Sequence, residues 1–131
     1  MKAVSSDFEH ILDTSAVVTY LAGEKGADKV GTLISSSALP FLVFSELYYV
    51  VWGKKGKVKA DEVFALVKSW NLPVLMPDER IILTAGRLKA VHRLGLADSY
   101  IAAFAVDMEK SLVTSDRDYQ MLKEEIKTLY I

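Results

Sequence analysis

The sequence contains no cysteine, and only three prolines and two histidines among 131 residues. Without cysteine there is no disulfide framework, no thiolate metal site and no cysteine nucleophile. Long apolar runs are also missing. The longest, Ala38 to Phe44, is far too short to cross a bilayer and contains Pro40. The first ten residues carry Asp7 and Glu9 and no apolar core segment, which argues against a secretory signal. No repeat, low-complexity tract or Pro/Gly-rich linker interrupts the chain, so one domain over residues 1–131 is expected. Nor is there an excess of one charge. Sixteen basic residues face seventeen acidic ones, a balance that on its own argues against nucleic-acid binding. What is present suffices for a fold. A hydrophobic content of 51% with 25% charged residues excludes intrinsic disorder. A chain of this length buries roughly two-thirds of the surface it exposes unfolded. A soluble cytoplasmic domain is expected.

Short apolar runs alternate with stretches of helical period. Phe8 to Leu12 reads as a strand, stopped by the cap-forming triplet Asp13-Thr14-Ser15. Helices are expected over Ala16–Leu21, ended by Gly23, and over Ala27–Ile34. Leu39 to Val43 reads as a second strand running directly into a helix near Ser45-Glu46, which ends at Gly53 to Gly56. Lys59 to Trp70 places Val63, Val67 and Trp70 on one helical face. A strand over Leu72–Met76 then leads through Pro77 to a helix over Asp78–His92, and Gly95 breaks it before another begins at Asp98. Ser111–Thr114 is a strand, followed by a short helix near Tyr119–Glu124 and a terminal apolar run, Leu129 to Ile131. This alternation implies crossover connections. The expected fold is α/β, with a central, mostly parallel sheet of four to five short strands and helices on both faces. In such sheets ligands bind beyond the carboxyl ends of the strands.

Acids collect at those ends. Asp13 follows Ile11-Leu12, Glu46 follows Phe41 to Phe44 within one helical turn, and Asp116 follows Leu112 to Ser115, with Asp118 two residues on. Asp98 opens a helix just after Gly95. Parallel strands share one carboxyl edge, so these acids can converge across a hundred residues of sequence. Each one alone has a structural explanation, because Asp is a favoured N-cap and first-turn acids suit the helix dipole. Glu46 is harder to explain that way, since a carboxylate among Phe44, Leu47, Tyr48, Val50 and Val51 is costly unless paired or metal-bound. Converging carboxylates repel and are forced to protonate unless a divalent cation holds them. An all-oxygen ligand set favours Mg²⁺ or Mn²⁺ over zinc. Phosphodiester hydrolysis could then proceed without a histidine base or a serine nucleophile. His10 and His92 have no partner identifiable from sequence and are read as structural or solvent-facing.

The phrases Ile11-Leu12-Asp13-Thr14-Ser15-Ala16, Ser45-Glu46-Leu47, Ala97-Asp98-Ser99-Tyr100-Ile101-Ala102-Ala103 and Leu112-Val113-Thr114-Ser115-Asp116-Arg117-Asp118-Tyr119 together resemble the PIN domain. Among PIN domains the chain is most similar to the single-domain VapC toxins of toxin–antitoxin pairs. The resemblance spans Ile11 to the end and implies a metal-dependent ribonuclease. It implies that Asp13, Glu46, Asp98 and Asp116 are the catalytic, metal-binding quartet and that Asp118 is a further, more variable metal ligand. Ser15 and Thr114 match supporting hydroxyls, and Ser115 beside them is taken with them. The sequence departs from the family pattern in the length preceding the first acid, residues 1–10, and in Tyr119, where Phe is common.

With the quartet set aside, thirteen acids face sixteen bases, so the remaining surface is mildly basic and compatible with RNA phosphates. Two basic groups, Lys54, Lys55, Lys57 with Lys59, and Arg87, Lys89 with Arg93, are candidate RNA contacts, although such groups are commonly just solvated surface. The stretch Phe44 to Trp52 is apolar nearly all round a helix, so it is either buried or covered by a partner. Its Tyr48 and Trp52 form a candidate patch for homodimerisation, and docking of an antitoxin encoded by another gene is the alternative. The sequence therefore points to a divalent-metal-dependent endoribonuclease, as the toxin of a pair. Two other readings stand beside it. One is a catalytically silent PIN-like module that binds RNA or protein. The other is a phosphatase using Asp13, which normally wants a second acid where this chain has Ser15.

Overall fold

A computed structural model describes residues 7–131. Residues 1–6, part of the segment on which the absence of a secretory signal was argued, lie outside the described residues. Five strands, β1 (His10–Leu12), β2 (Ser37–Pro40), β3 (Val74–Leu75), β4 (Ser111–Thr114) and β5 (Thr128–Tyr130), form one sheet in the order β3-β2-β1-β4-β5. Every neighbouring pair is parallel. Six helices connect them: α1 (Thr14–Ala22), α2 (Ala27–Leu33), α3 (Phe41–Lys55), α4 (Lys57–Ser69), α5 (Glu79–Val91) and α6 (Leu96–Met108). A 3-10 turn, Arg117–Leu122, links β4 to β5. The expected α/β class with a parallel sheet flanked by helices is the fold observed.

The central strand explains the layering. Ile11 and Leu12 point to opposite faces of β1, yet both are fully buried, as are Leu112 and Val113 on β4. A strand buried on both sides needs helices on both sides. From β1 the chain moves outward through β2 to β3, then returns past β1 to β4. With right-handed crossovers, that reversal places α1 to α4 over one face and α5 and α6 over the other. The connections leaving β1 and β4 therefore diverge, which opens a crevice at the carboxyl ends of these two strands. The register His10↔Ser111, Ile11↔Leu112, Leu12↔Val113 brings Asp13 and Thr114 to that crevice together.

Local signals set the helix ends. Asp13 caps α1 by accepting from the Ala16 N–H at 3.0 Å, and Gly23 closes it in the left-handed conformation, φ 64°. Asp78 caps α5 through the Ile81 N–H at 2.9 Å. One boundary corrects the sequence reading. Leu39 to Val43 was expected to be a strand; instead β2 ends at Pro40 and helix α3 begins at Phe41. An unbroken apolar run has no period that separates strand from buried helix. Proline's fixed φ, −58° here, suits the residue that ends the extended segment and leads into the helix. The first strand is also shorter than read, His10–Leu12 rather than Phe8–Leu12, and α3 runs through Gly53 to Lys55.

From Phe44 to Trp52 helix α3 is apolar nearly all round, but of the whole helix only Val43 and Leu47 are fully buried. Helix α4 covers part of the rest, with Phe64 meeting the rings of Phe44 and Tyr48 edge-on. Tyr48 is further committed within the chain, since its hydroxyl donates to Asp61 Oδ1 at 2.6 Å. Tyr49 and Trp52, 63% and 47% exposed, are the aromatics that α3 leaves in solvent. Among the described residues no helix is long and apolar enough to cross a membrane.

Candidate active site at the carboxyl edge of the sheet

Asp13 is the most buried acid of the edge, 4% exposed. Its Oδ1 accepts from Ser15 Oγ at 2.6 Å and from the Ala16 N–H, and its Oδ2 accepts from Thr114 Oγ1. The two hydroxyls tie β1 to β4. Ser15 Oγ also accepts from the Ser115 N–H at 2.9 Å and lies 3.2 Å from Thr114 Oγ1, which in turn accepts from the Asp116 N–H at 2.9 Å. Ser115 thus enters the network through its backbone. Every donor in this web serves a residue of the edge, which is more than helix capping requires.

The other acids reach the same edge from different elements. Glu46, half-buried on α3, accepts from Thr14 Oγ1 at 2.8 Å. Asp98, in the first turn of α6, accepts from the hydroxyl of Tyr119 at 3.1 Å. Asp116 caps the 3-10 turn, its Oδ1 accepting from the Asp118 N–H at 2.9 Å, while the Asp118 side chain is exposed. Electrostatics shows that they share one field. Burial pushes the Asp13 carboxyl up to about 6, against its hydrogen bonds, and the charge of Asp98 adds to the rise. Asp98 is raised as well, by burial first and then by the charges of Asp116, Glu46 and Asp118, while the Tyr119 hydrogen bond opposes the rise. Tyr119, fully buried, is held protonated by burial and by the charges of Asp13, Asp98 and Asp116.

All five acids singled out from sequence therefore converge electrostatically. They do not form a closed cage: among the described residues, no three His, Asp or Glu side chains are grouped tightly enough to hold one ion. Each carboxylate is instead drawn to its own donor, Ser15 and Thr114 for Asp13, Thr14 for Glu46, Tyr119 for Asp98 and the Asp118 N–H for Asp116. Thr14 and Tyr119 were not singled out as site residues. Both lie in the quoted motifs, and the signal for Tyr119 was the departure itself, a hydroxyl where the family commonly has none.

The basic candidates divide. Lys57 pairs with Asp61 at 2.7 Å, Arg87 pairs with Glu125 at 2.8 Å, and Lys89 donates to the Leu94 carbonyl at 3.0 Å. Lys54, Lys55 and Arg93 form no ion pair among the described residues. Lys54 and Lys55 lie roughly 12–14 Å along α3 from Glu46, toward the opposite edge of the sheet. Helices α5 and α6 pack antiparallel, as Thr84 bonds Asp107 at one end and Lys89 bonds Leu94 at the other. Arg87 and Arg93 consequently sit at the end that carries Asp98. His92, whose partner was not identifiable from sequence, lies 3.3 Å from Glu125 Oε2. His10 is mostly buried, and its Nδ1 has no hydrogen-bond partner among the described residues.

A parallel sheet in the order β3-β2-β1-β4-β5, with a carboxylate-lined crevice where its connections diverge, defines an α/β protein whose site lies at the ends of β1 and β4. The chain belongs to the PIN domain family: that family's model matches residues 10–125. Solved structures agree on the fold. The DNA-bound VapBC of Salmonella typhimurium superposes with a TM-score of 0.78 at 19% identity, over 94% of this chain and 98% of that one. VapBC-1 of nontypeable Haemophilus influenzae gives 0.72 at 21% identity, covering 92% and 96%. VapBC-5 of Mycobacterium tuberculosis, from the VapBC family of toxin–antitoxin systems, gives 0.67 at 20%, covering 93% and 96%. Among curated proteins none matches the sequence.

Proposed function

We propose that the protein is a divalent-metal-dependent endoribonuclease and the toxin of a VapBC-type pair. The observation that carries this reading is the carboxylate edge, where Asp13 and Asp98, from different elements, are both pushed upward by burial and by neighbouring negative charge. Acids raised by burial and by one another lower the stability of the metal-free chain, a cost that a bound cation offsets. The donor set, carboxylates and hydroxyls without cysteine, fits a hard ion such as Mg²⁺ or Mn²⁺. Asp13, Glu46, Asp98 and Asp116 would hold it, with Asp118 at the exposed margin. The bound ion would activate water and offset charge on the phosphate and the leaving oxygen.

The chain's own residues position that chemistry. Ser15, Thr114 and the Ala16 N–H fix both oxygens of Asp13, so its carboxylate cannot rotate away from the edge. Tyr119 holds one oxygen of Asp98 and leaves the other for a ligand. Thr14 does the same for Glu46. The antitoxin partner is supported by the VapBC neighbours, and Tyr49 and Trp52 on α3 supply exposed aromatic surface for a homodimer. A silent binding module is disfavoured by the intact acid set, and a phosphatase by Ser15, whose hydroxyl supports Asp13 rather than acting as an acid.

Incubation of the purified chain with a mixed RNA pool tests the reading. Cleavage is expected with Mn²⁺ or Mg²⁺ and none with a chelator. Intact RNA in the presence of either metal would refute it.

A further inference from the structure

A second feature borders the acid edge. Between the 3-10 turn and β5 lies a cleft of about 580 Å³, floored by Tyr119 and walled by Gln120, Lys123, Lys127 and Tyr130. That volume falls within the roughly 300–1,000 Å³ of sites that hold small ligands. Its neighbour Arg117 stands between Asp116 and Asp118 in sequence, yet it pairs with neither. Its guanidinium lies 4.1 Å from the centre of the Tyr130 ring. Tyr130 is the register partner of Thr114, which binds Asp13, so the stack stands at the carboxyl edge of the sheet. Arg117, Lys123 and Lys127 are all exposed, and none forms an ion pair among the described residues.

These facts have one chemical meaning in common. A guanidinium laid on a ring keeps its orientation, and its donors stay available to an outside acceptor. Lys123 and Lys127 line the cleft itself, Arg117 borders it through Tyr130, and a flat aromatic and guanidinium surface is what an unstacked base packs against. Tyr119 joins the two sites, since it floors the cleft while its hydroxyl holds Asp98. We propose that this cleft binds the nucleotide of a single-stranded RNA next to the bond being cut, with its phosphate on Arg117, Lys123 and Lys127 and its base against the Arg117–Tyr130 stack. The proposal rests on the ribonuclease reading and adds a binding track along the 3-10 turn and β5, on a different surface from the lysines of α3.

The test uses the whole chain in chelator and a fluorescein-labelled mixed-sequence single-stranded RNA, with anisotropy read over a series of NaCl concentrations. On a single strand, loss of one phosphate contact lowers the salt slope by about 0.7 and the affinity by roughly fivefold near 0.1 M salt. Arg117→Gln is expected to show that loss, a Lys123→Gln, Lys127→Gln double variant a larger one, and Lys68→Gln, an exposed lysine of α4 on the way to the opposite edge strand β3, none. With Mn²⁺ added, Arg117→Gln is expected to raise KM and leave kcat nearly unchanged. Wild-type affinity, slope and KM in both cleft variants, in a protein that still cuts RNA, would overturn the cleft and leave the ribonuclease standing. A wild-type chain that neither binds nor cuts RNA would overturn both.

Discussion

Replacing Asp13 by Asn should make the metal-free protein more stable at neutral pH, although it removes a residue central to the site. The unfolded carboxyl titrates near 3.8 and the folded one near 6. Between those values the native state keeps a proton that the unfolded chain releases, so stability falls as pH rises through the window. That gap corresponds to about 3 kcal/mol, lost by pH 7 and regained as the pH falls below the unfolded value of 3.8. Asn does not titrate and caps helices as well as Asp. Its oxygen can still accept from the Ala16 N–H and Ser15 Oγ, and its amide can donate to Thr114 Oγ1, so the exchange of hydrogen bonds costs about 1 kcal/mol. The net gain at pH 7 is about 2 kcal/mol, or about 8 °C in Tm for a domain of this size. Below pH 4 the order should reverse, with wild type up to about 1 kcal/mol ahead near pH 3. Urea melts of both proteins in chelator from pH 3 to 7.5 measure the difference directly. A difference that stays constant across that range would refute the burial of an ionised Asp13. Added Mn²⁺ should raise the melting temperature of wild type and do so much less for the variant.

Tyr119→Phe keeps the buried ring and deletes the hydroxyl that holds Asp98. Outer partners of metal ligands are typically worth 10- to 100-fold in metal affinity or activity, so calorimetric Mn²⁺ affinity is expected to fall about tenfold while the fold survives. An unchanged affinity would make the Tyr119 hydroxyl merely structural. Thr114→Val removes the donor to Asp13 and the acceptor of the Asp116 N–H in a fully buried position, and should cost about 2–3 kcal/mol in chemical denaturation. Light scattering at micromolar concentration is expected to give the mass of a dimer, and a Tyr49→Glu, Trp52→Glu double variant that of one folded chain. A wild-type monomer would remove α3 as a self-association surface.

Much of this architecture is legible in the sequence because parallel strands buried on both faces are short, apolar and bounded by cap residues. Ser111–Thr114 was read with its observed limits, since Lys110 and the Ser115-Asp116 pair bracket it with polar residues. The β2–α3 boundary was not legible, because the run from Ala38 to Phe44 offers neither alternation nor a helical stripe, and only Pro40 marks the junction. β5 was visible only as an apolar run. An edge strand of three residues draws its order from pairing with β4, a long-range contact that local pattern does not carry. In the site, acids at strand ends were legible because topology alone gathers them. Their donors were less so. The bond from Tyr119 to Asp98 links residues 21 apart, and that from Thr14 to Glu46 links residues 32 apart, each depending on how two elements pack. The candidate residues for self-association differ from the sequence reading for the same reason: Tyr48 is bound to Asp61 of α4, while Tyr49 stays in solvent.

Single-turnover cleavage of RNA by Asp98→Asn beside wild type, in Mn²⁺, asks whether acids from separate elements form one catalytic centre. Asn keeps the size of Asp98 and an acceptor for Tyr119 but removes the charge that would bind the ion. A folded Asp98→Asn protein with no detectable cleavage is the expected result. Cleavage at the wild-type rate would contradict a shared carboxylate site at the ends of β1 and β4.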